Sequence, residues 1–309
     1  YRRFFGGVGG GAPPPHHRET HIRSGKCNML LNASVDYTRL QVQLPKFIIH
    51  TMVQLPFSLT PLLINGGTLE IIEDRVIRFS LPTHSKKYCD AQVDDYHLIP
   101  REQFRWSPPC RMTLRARASH PDPPGTLGFG FWNDPFTVSI GQGGAARRFP
   151  VPPQTIWFFY GSKENDIRLN PKFPGHGWKA STIRSPMVPG LILAPAVAAA
   201  MAISTLPFFR SWIMNIIQRI EKADEIMLED RLDQWHTYNI DWNSDAVIFQ
   251  VDGIEVLKVE DPPAGPLGFV AWIDNQYALA SPESRFRFGV TPTVENQWFE
   301  IEMIDLKKV

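Results

Sequence analysis

Metal-binding spacings and the common catalytic loops are missing from this sequence. It contains no C-x-x-C and no H-E-x-x-H, so neither a structural nor a catalytic zinc has support. It has no G-x-S-x-G elbow and no Walker loop. The glycine clusters at 6–11 and 141–144 do not join a strand to a helix, which leaves no phosphate cradle. Charge is scarce as well: 20% of residues are charged and the formal net charge is +1, so no global field points to nucleic acid. The three cysteines, Cys27, Cys89 and Cys110, form no disulfide framework, which leaves room for one bridge such as Cys89–Cys110. No apolar secretory run opens the chain, and its compartment is left open. No metal and no cofactor is expected.

What is present is β-rich. At 309 residues with 28 prolines, nine tryptophans and 12% aromatics, the chain suits a large sandwich with many turns. Residues 1–45 read as a flexible arm, basic and Gly/Pro-rich at the start, and ordered structure is expected from 46 to 309. The segment 66–82 alternates as two short strands around Glu73-Asp74, and 87–100 reads as a strand entering a turn. In CRMTLRARAS, Met112, Leu114, Ala116 and Ala118 share one face while Arg111, Thr113, Arg115 and Arg117 share the other. In TLGFGFWND, Leu127, Phe129 and Phe131 face one way. Gly128, Gly130 and Trp132 face the other, where small residues permit close approach by a ligand or a sheet. HTYNIDW, AVIFQVDG and IEVLKVE form a meander, and LGFVAWIDNQYA and QWFEIEMIDLKKV supply later strands. This rhythm, without βαβ units, predicts an antiparallel sandwich.

One region departs from it. From Ser185 to Phe209 there is no charged residue, and Trp212, Ile213, Ile216, Ile217, Ile220 and Met227 then recur at helical spacing. A helical insertion is expected at about 186–232. It could be a buried or lid helix pair, a membrane-surface or protein-docking element, or a span interrupted by Pro189, Pro195 and Pro207.

The order GTLGFGFWNDPF, QTIWFFYG, WHTYNIDWNSDAVIFQVDG resembles the laminarinase-like glycoside hydrolases of family 16. The resemblance covers roughly residues 66–309 with the insertion excised. Its most specific element is the aromatic-His-Thr-Tyr strand leading through Asp-Trp to a Phe-x-Val-Asp-Gly hairpin. It implies an all-β, antiparallel concanavalin A-like jelly-roll β-sandwich, here with a helical insertion. In that family the strand after the Phe-Trp strand carries Glu-x-Asp-x-x-Glu. Here the same register reads Thr155, Trp157 and Tyr160, and the face alternating along the strand reads Thr155, Trp157 and Phe159. A retaining glycosidase needs two carboxyl groups about 5–5.5 Å apart, and none of these side chains supplies one.

Three acids remain as relocated catalytic candidates: Asp94, Asp95 and Asp274. Asp94 and Asp95, being adjacent, should point to opposite faces of a strand. The expected ligand-binding set is Trp132, Asn133, Trp157, Tyr160, Trp178, Trp272, Asn275 and Gln276. Aromatic faces there would stack on sugar C–H faces and amides would pair with hydroxyls. Three functions stay open. The first is a carbohydrate-recognising protein on a glycosidase-like scaffold without the usual acid pair. The second is an enzyme of isomerase or cyclase type acting on an apolar small molecule. The third is an interaction protein docking a membrane surface or a protein partner through 186–232.

Overall fold

The computed structural model describes residues 59–135, 151–186, 215, 221–281 and 287–309. The arm expected over 1–45, the start of order at 46, Cys27 and the apolar stretch after Pro186 lie outside these residues.

Two seven-stranded antiparallel sheets hold most of the described chain. The front sheet runs in the order β1 (Thr60–Ile64), β4 (Asp90–Asp94), β14 (Gly268–Asp274), β6 (Thr126–Trp132), β7 (Gln154–Gly161), β9 (Gly177–Arg184), β10 (Lys222–Met227). The back sheet runs β13 (Ile254–Glu260), β12 (Ala246–Val251), β11 (His236–Trp242), β5 (Cys110–Ala118), β17 (Gln297–Lys308), β3 (Val76–Leu81), β2 (Thr68–Ile72). A small third sheet joins β16 (Arg287–Val290), β15 (Gln276–Ala280) and β8 (Asp166–Ile167). This is the all-β jelly-roll sandwich expected from the sequence.

Local chemistry explains the elements. Glu73 and Asp74 take φ of 51° and 58° between β2 and β3, and Asp252-Gly253 take 51° and 81° between β12 and β13. Paired left-handed residues at the tip of a two-stranded hairpin match the twist of its strands. On β5 the strict alternation buries Met112, Leu114, Ala116 and Ala118. They share one core with the inward residues of β6 and β7, which meet β11 and β17 across the sandwich. Phe129 stacks on Phe299 with ring centres 6.2 Å apart, Phe131 lies 5.6 Å from Trp242, and Phe158 lies 4.9 Å from Tyr238. Aromatic pairs at such separations add to the burial of their area.

The outward face of the back sheet is ionic. Glu300 is buried between Arg78 and Arg117, and Glu302 pairs with Arg115. The Arg117 guanidinium also sits 4.8 Å from Trp235 and 5.3 Å from Trp298.

Two sequence expectations are corrected. Lys222–Met227, placed in a helical insertion, is an edge strand pairing with β9 from Lys222↔Arg184 to Met227↔Lys179. Hydrogen bonds along the open edge of β9 override the helical spacing of its apolar residues. The rest of the expected helix, up to Ile220, lies outside the described residues apart from Asn215. Cys89 and Cys110 are both free and buried, so the bridge left open between them is not formed.

Candidate functional site

Period-two alternation divides the front sheet into a core face and an outer face. On β7, Ile156, Phe158 and Tyr160 enter the inter-sheet core, which leaves Thr155, Trp157 and Phe159 on the outer face. On β6, Leu127, Phe129 and Phe131 enter the core, while Gly128, Gly130 and Trp132 turn outward. On β14, Val270, Trp272 and Asp274 are the outward residues.

The outer face therefore carries a row of aromatic rings. Trp157 lies 5.9 Å from Trp132, 5.4 Å from Phe159 and 5.5 Å from Trp272, and Phe159 lies 6.1 Å from Trp272. Tyr96 and Phe104 back the row on the Trp132 side. The β6 glycines make it possible. A Cβ on Gly130 would stand 2.7 Å from the Cβ of Trp157, and one on Gly128 would stand 2.8 Å from Cη2 of Trp272. The close approach legible in Gly128 and Gly130 is thus made by the chain itself, by the backbone of β7, the Cβ of Trp157 and the Trp272 indole.

Polar groups border this row. Trp132 Nε1 and Thr155 Oγ1 belong to register partners on β6 and β7, and both are buried without a hydrogen-bond partner among the described residues. A buried donor and a hydroxyl left unpaired cost free energy unless something fills their hydrogen bonds. Beyond Phe159, Lys179 donates to Glu225 Oε2 at 3.3 Å, and both side chains are more than nine-tenths buried. Burial raises the Glu225 carboxyl and lowers the Lys179 ammonium from their ordinary values, each opposed by the other's charge. Glu225 Oε1 has no hydrogen-bond partner among the described residues.

The candidate acids have other occupations. Asp94 Oδ1 accepts from the backbone N–H of Tyr96 at 3.0 Å and of His97 at 2.8 Å, capping the turn that follows β4. Asp95 accepts from Trp106 Nε1 at 2.6 Å and Phe269 N at 2.9 Å. Burial nevertheless pushes its carboxyl up to about 6. Asp274 Oδ1 accepts from Thr126 N, Thr126 Oγ1 and Gln276 N, and burial pushes this carboxyl up to about 7. Opposite it on β4 stands Asp90, which the sequence reading did not single out. Asp90 and Asp274 are register partners, both buried. The signal for it was present: Asp90, Gln92 and Asp94 alternate along one face of β4.

The expected binding set divides accordingly. Trp132, Trp157 and Trp272 come together on the outer face. Tyr160 and Trp178 do not join them, because their place in the alternation turns both into the core beside Phe158 and Tyr238. Asn133 accepts from Gln154 N and donates to Pro152 O. Asn275 accepts from Cys89 N and donates to Lys87 O and Thr291 O. Both amides tie loops together. Gln276 begins β15, half-buried, its backbone N–H given to Asp274. Phe159, absent from the expected set, completes the aromatic row. No group of three or more His, Cys, Asp or Glu suited to a metal occurs among the described residues.

Two facing antiparallel sheets with an aromatic, polar-edged outer face form a jelly-roll β-sandwich. The family model of glycosyl hydrolases family 16 matches residues 214–269, and over that stretch the chain is similar to the family. That match contains the WHTYNIDW…QVDG hairpin and begins after β6 and β7. Among solved structures, the chain is similar to a laminarinase from Flavobacterium sp. UMI-01 at 14% identity, over 78% of this chain and 81% of that one, with a TM-score of 0.38. A β-1,3-1,4-glucanase (lichenase) derived from a mouse hindgut metagenome aligns at 11% identity over 81% and 93%, with a TM-score of 0.42. The Bacillus licheniformis β-glucanase aligns at 12% identity over 78% and 82%, with a TM-score of 0.39. No curated protein matches the chain.

Proposed function

We propose that this protein recognises carbohydrate on the outer face of the front sheet and does not hydrolyse it by the acid pair of family 16. The observation carrying this reading is the outward face of β7, which offers Thr155, Trp157 and Phe159 where that family presents carboxylates. A neutral sugar ring stacks its C–H face on an indole, and its hydroxyls need donors and acceptors beside that indole. Trp157 and Phe159 supply the stacking surface. Beside them, the buried Trp132 Nε1 and Thr155 Oγ1 have no hydrogen-bond partner among the described residues. The names of the similar structures, a laminarinase and β-glucanases, make β-linked gluco-oligosaccharides the first ligands to try.

The buried pair Asp90 and Asp274 does not restore the chemistry. Both carboxyls are buried, and three donors already occupy Asp274 Oδ1. Isothermal titration with laminari- and mixed-linkage oligosaccharides, paired with a reducing-end assay, tests the proposal. The expected result is saturable binding that Trp157→Ala weakens at least tenfold, with no new reducing ends. Hydrolysis that persists in Trp157→Ala and is lost in Asp274→Asn would overturn it.

A further inference from the structure

Asp90 and Asp274 stand directly opposite each other on β4 and β14, where side chains of an antiparallel pair lie about 4.5–5.5 Å apart at Cβ. Two carboxylates cannot both stay charged at that distance inside protein without a cation between them. The titratable groups facing them are Tyr88, whose hydroxyl hydrogen-bonds Asp274, Asp94 further along β4, and Cys89 beside Tyr88. All are acids. Thr126 and Gln276, the remaining side-chain and backbone donors to Asp274, do not titrate. Asp90 Oδ1 is buried and has no hydrogen-bond partner among the described residues.

A hydrogen-bond chain leads from this pair to the aromatic row. Thr126 Oγ1 donates to Asp274 Oδ1 at 2.9 Å and accepts from Trp272 Nε1 at 3.0 Å. A hydroxyl that gives its only proton to a carboxylate becomes a stronger acceptor for the group behind it. We infer that Asp274, together with Asp90, is a positioning residue for Trp272: the pair holds protons in place of a counter-ion, and the Thr126 hydroxyl reports their loss to the indole. Burial holds Asp90 well above the ordinary carboxylate range and Asp274 near 7, so the first proton to leave does so near neutrality. As the carboxylate forms, the Thr126 hydroxyl is polarised and grips the indole N–H more tightly. The coupling stands independently of glycan binding; its effect on a ligand rests on the function proposed above.

The test is the indole N–H resonance of Trp272 in ligand-free, nitrogen-15-labelled protein, assigned by its loss in Trp272→Phe and followed from mildly acid to mildly alkaline buffer. The expected result is a single titration with midpoint near 7, absent from Thr126→Val and retained in Thr126→Ser. Asp274→Asn should also abolish it, and the threonine variants decide the matter if that protein does not fold. A flat resonance in the wild type, or one that titrates alike in Thr126→Val, overturns the inference. So does a resonance that moves on adding a chelator, since the pair would then hold a cation. Because no ligand is present, a protein that binds no glycan fails the proposed function and leaves this result standing.

Discussion

The backbone and Cβ of Trp157 lie tight against its register partner Gly130 on the neighbouring strand, and a Cβ at that glycine would fall 2.6 Å from Trp157 Cα and 2.5 Å from the Ile156 carbonyl oxygen. Gly130 also holds φ at 145°, a conformation that L side chains rarely adopt. The glycine thus fixes where the central ring of the aromatic row lies. Gly130→Ala is expected to destabilise the fold by about 1–3 kcal/mol, the usual cost of overpacking, and to weaken ligand binding with it. Urea unfolding read by fluorescence checks this; an unchanged midpoint would contradict the seating.

Stability should depend on pH through Asp274. Its carboxyl is raised from 3.8 to about 7 in the folded protein, so the fold binds a proton that the unfolded chain has released. The resulting contribution is complete below the ordinary value of 3.8, declines as pH rises, and is gone above about 7. Relative to Asp274→Asn, the wild type should lose stability by roughly 1.4 kcal/mol per pH unit across that window and run parallel to the variant above it. Parallel curves throughout would show that Asp274 ionises normally.

Glu300 anchors the outer face of the back sheet, since its buried carboxylate joins Arg78 and Arg117, and Arg117 in turn stacks between Trp235 and Trp298. Replacing it with Ala removes two charge-assisted hydrogen bonds and frees both guanidiniums, at a cost of about 1–3 kcal/mol. Because this face lies across the core from Trp157, glycan affinity in Glu300→Ala should match the wild type. A concurrent loss of affinity would argue that the two faces are coupled.

Much of this architecture was legible from alternation. The core faces of β5 and β6 follow from single strands, because side-chain direction has period two whatever the strand packs against. The same count puts Tyr160 in the core, since it shares parity with Ile156 and Phe158; the Glu-x-Asp-x-x-Glu register of the resemblance sets it beside Trp157 instead. Trp178 sits in GWKASTIR, where no polar–apolar alternation marks a face. The strand at Lys222–Met227 was hidden because its partner, β9, offers the pairing and its own residues do not ask for it. The Asp90–Asp274 relationship was beyond sequence reading altogether. Which acids face each other depends on the register of two strands far apart in the chain. The occupant of the space over Gly128 and Gly130 was equally unreadable, since a small residue says only that something comes close.

The most direct test of carbohydrate recognition on this face is a titration of a gluco-oligosaccharide into labelled protein, followed on all indole resonances, with the sugar recovered and weighed by mass spectrometry. Saturable shifts at Trp132, Trp157 and Trp272, quiet resonances at the core residues Trp178 and Trp242, and an intact sugar are the predicted result. Shifts absent from the outer-face indoles, or a sugar recovered in pieces, would contradict it.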